Sequence, residues 1–366
     1  LISVYILHGY EPWRIAQSGP KKDLNVHALR SFFFLEVFMN IPATTIQEQL
    51  SILKNRNVRL DENSAGILLQ YGYYNLINGY KDAFIDKKRS NLRHSDFYTE
   101  GTTLEQIVTL YLFDANLRRN VLNCVTIIET QMKSLISLHF SSRFGTNHWN
   151  YLRPNSFTRS PKERQHVNSL LYKLNKCIKT FSTRKPHPAI CHFIKKYNQV
   201  PLWVLNTVIS FGTMANFYDL LPDDMKKDIA HTVNPKLAPK TLSSILYYLT
   251  DIRNKCAHNN RLYTHKIDQR STRVATIPQL DIHKQLNLPI SGPGAIYTYG
   301  QDDILAALIC IAVFFGQNHV YQVNYEGIDS SLAFLSENIS PSVESFVRDI
   351  TGLKHKYITK LEDISI

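Results

Sequence analysis

The chain has 366 residues, of which 44% are hydrophobic and 11% aromatic, which excludes wholesale disorder and leaves room for one large domain or two ordinary ones. Lys and Arg number 42 against 30 Asp and Glu, a formal charge of +12 that points to a polyanionic partner, nucleic acid or an anionic membrane surface. The five cysteines (124, 177, 191, 256 and 310) are scattered, without the close pairs of zinc knuckles or redox motifs, so free and mostly buried thiols in a reducing cytoplasm are expected.

Residues 1–38 carry no clear helical period, and Arg30 to Phe38 is densely aromatic. Met39 opens Asn-Ile-Pro-Ala-Thr-Thr and reads as a natural start, with 1–38 an N-terminal extension upstream of it. No small-residue cleavage site follows a continuous apolar stretch there, so a signal peptide is not expected. Thr45 opens a helix with Ile46, Leu50 and Leu53 on one face, ending near Asn55. A second runs from Asp61 through Leu68 and Leu69 to Tyr73 and Tyr74.

Thr102 and Thr103 then cap a long stretch with Leu104, Ile107, Val108, Tyr111 and Leu112 inward, continuing to Ile128, Met132, Leu135 and Phe144-Gly145. It reads as one long helix, or as two with a kink near Asn123. Residues 147–188 turn basic, with Arg153, Arg159, Lys162, Arg164, Lys173, Lys176, Lys179, Arg184 and Lys185. They form a solvated insertion or connecting hairpin, either an electrostatic footprint for RNA or an ordinary charged face.

Helices resume at 202–210 and 214–220, and Thr241 caps one with Leu242, Ile245, Leu246, Leu249 and Ile252 at core spacing. After His265 the chain is loop-rich to Gly300, and terminal helices follow at 302–315, 330–338 and 342–350. Ile304–Phe315 is apolar throughout but too short to span a bilayer, so it reads as a buried helix. There are no repeats and no convincing β alternation, and the fold class is mainly α. Residues 39–275 form a helical domain with the basic insertion, and residues 276–366 supply loop and helices that pack on it.

Arg-x4-His occurs three times, at Arg89/His94, Arg143/His148 and Arg253/His258, so the spacing alone decides nothing. Arg89/His94 lies in a polar loop and Arg143/His148 straddles Gly145; only Arg253/His258 directly follows an amphipathic helix. If that helix continues, Asn254, His258 and Arg261 share one face and Arg253 borders it.

Such a face suits metal-free RNA cleavage, which needs no cofactor. The 2′-OH must lose a proton, the leaving 5′-oxygen must gain one, and the phosphorane needs cationic stabilisation. Imidazole exchanges protons near neutral pH, giving His258 that role, and Arg253 offers a planar fork of donors for phosphate. Asn254 could orient the histidine or the scissile phosphate, and Arg261 could hold a neighbouring one. One histidine does not easily serve as both acid and base, so a homodimer with a composite site is expected. The alternative is a non-catalytic RNA-binding module that uses the same arginines on phosphates.

Arg253-Asn254-x3-His258 resembles the Arg-x4–6-His signature of the HEPN ribonucleases. Across about residues 41–270 the chain resembles abortive-infection proteins of the AbiD/AbiF type. The matching segments are Gln47-x-x-Leu50-x-x-Leu53-Lys54, Tyr71-Gly-Tyr-Tyr-Asn-Leu-Ile-Asn-Gly-Tyr80, Leu110-Tyr-x-Phe-Asp-x-x-Leu-Arg118, Ile127-Ile-Glu129, Ser210-Phe-Gly212 and Asp251-Ile-Arg-Asn-Lys-Cys-Ala-His-Asn-Asn-Arg261. The resemblance implies a HEPN-like helical bundle with additional helices, and a bacterial, cytoplasmic, toxin-like endoribonuclease of phage defence or a toxin–antitoxin pair. It also implies a homodimer and, for AbiF-like members, a structured non-coding RNA that restrains the toxin.

Glu129 matches an acidic position that accompanies the motif on the long helix in many HEPN proteins; an ion pair with an arginine, Arg118 for instance, is the competing reading. Tyr71, Tyr73, Tyr74 and Tyr80 are read as core residues or as stacking platforms for bases. Asp114 and Arg118, one turn apart, are read as a surface pair. The first 38 residues and the basic insertion depart from the family pattern.

Overall fold

The computed structural model describes residues 43–267, 276–292, 294, 296–315 and 322–363. The reading of residues 1–38 and of Met39 lies outside them. Local signals explain the first elements. Helix α1 spans Ile46–Asn55 and α2 spans Ser64–Tyr71, closed by Gly72 at φ +75°. The tyrosine-rich segment continues as a wide turn over Tyr74–Asn78, then a short 3-10 turn, before α3 at Lys87–Arg93.

Helix α4, Leu104–Phe144, is a single 41-residue rod, about 60 Å long. It is uninterrupted at Asn123, because the stretch contains neither Pro nor Gly. Thr103 caps it through a reciprocal box: its hydroxyl accepts from the Gln106 amide at 3.3 Å while Gln106 Oε1 accepts from the Thr103 amide at 3.2 Å.

The basic segment is a helical hairpin: α5 at Arg164–Lys179, a wide turn over Thr180–Arg184, and α6 at Pro188–Tyr197. Val167, Leu170 and Leu174 bury one face of α5. Arg153, Arg159, Lys162, Arg164, Lys173, Lys176, Arg184 and Lys185 are all exposed. The expected 202–210 helix is a single turn, Leu202–Leu205.

Helices α7 (Phe211–Asp219), α8 (Asp223–Val233) and α9 (Pro239–Ala257) follow. Helix α9 starts two residues before the expected cap Thr241, because Pro239 takes the first helical position, where a missing N–H costs nothing. The loop-rich stretch holds a turn of helix at Asp281–Gln285 and a two-residue antiparallel hairpin, β1 (Ile290–Ser291) with β2 (Ile296–Tyr297), in register Ile290 to Tyr297.

Then come α10 (Ile304–Phe315), α11 (Gln322–Asn338), α12 (Pro341–Thr351) and α13 (His355–Asp363). Sequence reading missed α13, a nine-residue helix whose buried residues are Tyr357, Ile358 and Leu361. All of α10 except Phe314 is buried, as expected of a core helix. No helix among the described residues is long and apolar enough to cross a membrane.

The rod α4 organises the molecule: α7, α8, α9, α10 and α11 all pack along it, and α7 packs on α9. The Ser210-Phe211-Gly212 segment fixes the α7–α9 contact. Ser210 caps α7 by accepting from the Thr213 amide at 3.2 Å, Phe211 is buried, and a Cβ at Gly212 would lie 3.2 Å from Thr250 Cγ2 on α9. Asp219 at the other end of α7 accepts from the Ser243 hydroxyl of α9 at 2.6 Å.

The turn before α10 carries a titrating carboxylate. Asp303 is fully buried, and it accepts from the Gly300 and Ala306 amides, both at 3.0 Å, with Lys266 Nζ at 3.8 Å. Burial pushes its carboxyl up to about 6, against the pull of Lys266. A carboxyl raised on folding contributes stability that is complete below its unfolded value and lost as pH rises through its folded one. Asp303→Asn, which cannot ionise, is therefore expected to gain about 2 kcal/mol relative to the native chain between pH 4.5 and 7.5. Urea unfolding of both proteins at the two pH values checks this; a difference that does not vary with pH contradicts it.

Candidate active site

The motif lies where α9 stops against the middle of α4. Helix α9 closes in a Schellman arrangement: the Asn259 amide donates to the Cys256 carbonyl at 3.2 Å and the Asn260 amide to the Lys255 carbonyl at 3.0 Å. Asn259 takes the left-handed conformation, φ +55°, that this termination requires. His258 is thus the C-cap residue, its amide bonded to the Asn254 carbonyl at 3.0 Å. Asn254 and His258 are exposed, while Ile252 and Cys256 are buried on the opposite side.

The expected common face of Asn254, His258 and Arg261 holds only for the first two. Because the chain reverses at Asn259, Arg261 leaves the helix. Its guanidinium donates to the Gly79 carbonyl and to Asp82 at 3.1 Å, and it lies 5.9 Å from the Tyr263 ring. Arg261 ties the loop after the motif to the tyrosine-rich segment.

Glu129, far upstream on α4, does meet the motif. Its Oε2 is 3.5 Å from Arg253 Nε, and its Oε1 is 2.8 Å from Lys133 Nζ one turn along the same helix. Lys133 also donates to the Ile209 carbonyl at 2.8 Å, just before the Ser210 cap of α7. Glu129 is nine-tenths buried, so its carboxylate is a fixed bracket between two cations rather than a mobile surface charge.

Arg253 Nε is itself buried and, at 3.5 Å from Glu129, lacks a proper hydrogen bond. A buried donor without a partner costs about 1–3 kcal/mol and in a native structure calls for a reason. The Arg253 side chain as a whole is 35% exposed, so the guanidinium is steadied from one side and reachable from the other.

Arg118 pairs with Asp114 and not with Glu129, and that pair is buried rather than on the surface. The i, i+4 spacing was read correctly; its burial follows from what covers it. The Asp114 carboxylate accepts from the Tyr263 amide at 2.7 Å, the Leu262 amide at 3.1 Å and the Tyr80 hydroxyl at 2.7 Å. One carboxylate on α4 therefore holds both the tyrosine segment and the loop that follows His258. Tyr80 is a core residue, Tyr71 and Tyr73 are half-buried, and Tyr74 is 80% exposed.

Asp251, at the start of the motif segment, lies 3.0 Å from His265 Nε2, and this contact holds its carboxyl below the ordinary range. In the other two Arg-x4-His pairs the arginine serves a neighbouring carboxylate: Arg89 sits 3.6 Å from Asp86, and Arg143 donates to Asp224 at 2.6 Å. Neither is bracketed by a buried carboxylate of the central helix.

Sequence reasoning missed Lys133 and the anchoring role of Asp114. The signal for Lys133 was its position one helical turn after Glu129. The eight basic candidates between Arg153 and Lys185, five of them on the hairpin, are exposed and form no ion pair among the described residues, which leaves their charges to solvent or to a polyanion. Also among the described residues, no group of three or more His, Cys, Asp or Glu is placed to hold a metal ion.

A family model described as Abi-like protein matches residues 66–264. That span takes in the tyrosine segment, α4, the basic hairpin, α7, α9 and the loop that follows His258. No curated protein and no solved structure matches the chain.

Proposed function

The chain belongs to the Abi-like protein family, and from that membership together with the geometry around Arg253 we propose that it is a metal-independent endoribonuclease of the HEPN type. In this reading it acts in the bacterial cytoplasm in anti-phage abortive infection or as the toxin of a toxin–antitoxin pair. The observation that carries the proposal is the bracket on Arg253: a guanidinium aligned by buried Glu129, with its Nε short of a hydrogen bond, beside an exposed histidine at the end of the same helix.

Each group then has a role. The Arg253 fork binds the scissile phosphate and stabilises the charge that builds on its oxygens in the phosphorane, where such a donor counts most. His258 exchanges a proton with either the attacking 2′-oxygen or the departing 5′-oxygen. Attack of the 2′-oxygen breaks the P–O5′ bond, leaving a 2′,3′-cyclic phosphate on one fragment and a 5′-hydroxyl on the other. Asn254, exposed on the same face, orients the phosphate or the imidazole. Arg261 acts at one remove, by holding the loop. A second copy supplies the other acid–base group, and a structured non-coding RNA along the exposed cations of the hairpin restrains the enzyme.

The test is incubation of purified full-length chain with labelled single-stranded RNA in EDTA. Fragmentation is expected; RNA that is bound but stays whole would favour the alternative, a non-catalytic RNA-binding module. Subunit exchange tests the composite site. With increasing fractions of His258→Ala chain, activity should fall as the square of the wild-type fraction, whereas a linear fall would place a complete site in each copy.

A further inference from the structure

Immediately beside the motif, a groove of about 510 Å³ runs between the end of α9 and the surface of α4. On α4 it is lined by Tyr111, buried Arg118 and exposed Arg119, Asn123 and Thr126, and at the end of α9 by Cys256 and Asn259. We propose that this groove is a subsite for single-stranded RNA, seating the nucleotides next to the bond that is cut. The proposal rests on the reading of Arg253–His258 as the cleavage site.

Three observations carry it. The first is continuity: Asn259 is the residue after His258, so a strand whose phosphate lies on the motif leaves directly into the groove. The second is charge, because no Asp or Glu lines it and the nearest carboxylate beneath it, Asp114, is spent on Arg118, Tyr80 and two backbone amides. Arg119 is exposed, and its guanidinium donates to Asn116 Oδ1 at 2.5 Å through one nitrogen, which leaves further N–H groups to offer a phosphate.

The third is the mixture of surfaces. Tyr111 is held edge-on by Tyr71 at 5.1 Å and Tyr80 at 5.4 Å, which fixes its ring at the groove wall. Fixed aromatic surface beside a cationic rim is how proteins seat unpaired bases without reading a duplex.

Fluorescence anisotropy with a labelled single-stranded RNA dodecamer tests the subsite, using the full chain carrying His258→Ala so that the probe stays intact. Adding Arg119→Glu is expected to weaken binding about tenfold and to flatten the slope of log affinity against log salt by roughly 0.7, the share of one phosphate contact. Arg119→Gln should shift both in the same direction by less. Lys227→Glu, an equal change of net charge on α8, should leave the affinity within about twofold.

Equal losses for Arg119→Glu and Lys227→Glu would overturn the subsite, as would unchanged binding by Arg119→Glu. So would a shift from dimer to monomer in sedimentation without a change in RNA affinity, which would assign the groove to a protein partner. If the native chain fails to cut RNA but Arg119→Glu still loses binding, the subsite stands and the catalytic reading falls.

Discussion

Arg253→Ala is expected to slow RNA cleavage about 10²–10³-fold under single-turnover conditions, the loss seen when one preorganised donor to a developing oxyanion is removed. The same change should cost little stability. Glu129 keeps its 2.8 Å contact with Lys133, so no buried charge is stranded, and the buried donor Arg253 Nε disappears along with its unmet need. That combination separates a catalytic role from a structural one. Arg253→Lys should recover only part of the rate, since an ammonium cannot present two parallel N–H groups to phosphate or follow the Glu129 bracket in one plane. A rate within a few-fold of native for Arg253→Ala, or a loss that tracks unfolding, would contradict the assignment.

The second large effect is on the scaffold. Asp114→Ala should destabilise the chain by about 3–5 kcal/mol, the cost of leaving a buried charge without its partner. Arg118 is almost wholly buried and would be that charge, while the Leu262 and Tyr263 amides and the Tyr80 hydroxyl would lose their shared acceptor. Urea denaturation measures the loss directly. The double variant Asp114→Ala/Arg118→Ala should be less destabilised than the two single changes added together, because removing both charges leaves none unpaired. Strict additivity would mean that the two side chains act independently.

These two effects also show which parts of the structure were legible in the sequence. Helices with strong boundary signals were. Thr103 with Gln106 and then Gly145 bound α4, and an unbroken apolar run fixed α10 at Ile304–Phe315. Glu129 was reachable only through the resemblance of Arg253–His258 to the HEPN signature, not through its own spacing.

Features that depend on partners distant in sequence were hidden. Asp114 and Arg118 look the same at one-turn spacing whether a loop covers them or water does, and only the folded loop at Leu262–Tyr263 decides. Arg261 was misplaced because an Asn can continue a helix or end it in the left-handed conformation, and Asn259 does the latter. The start of α9 was misjudged because Thr241 is a good cap, yet Pro239 begins the helix one half-turn sooner. In each case a local signal was present but ambiguous, and tertiary contacts resolved it.

His258 is the proposed proton-transfer group of metal-free RNA cleavage. The most direct measurement sets native chain beside His258→Ala in EDTA, with end-group analysis of the products from one labelled RNA. Fragments with 2′,3′-cyclic phosphate and 5′-hydroxyl ends are expected from the native chain, and uncut RNA, still bound, from the variant. Equal cleavage by His258→Ala, or fragments ending in 3′-hydroxyl and 5′-phosphate, would contradict it.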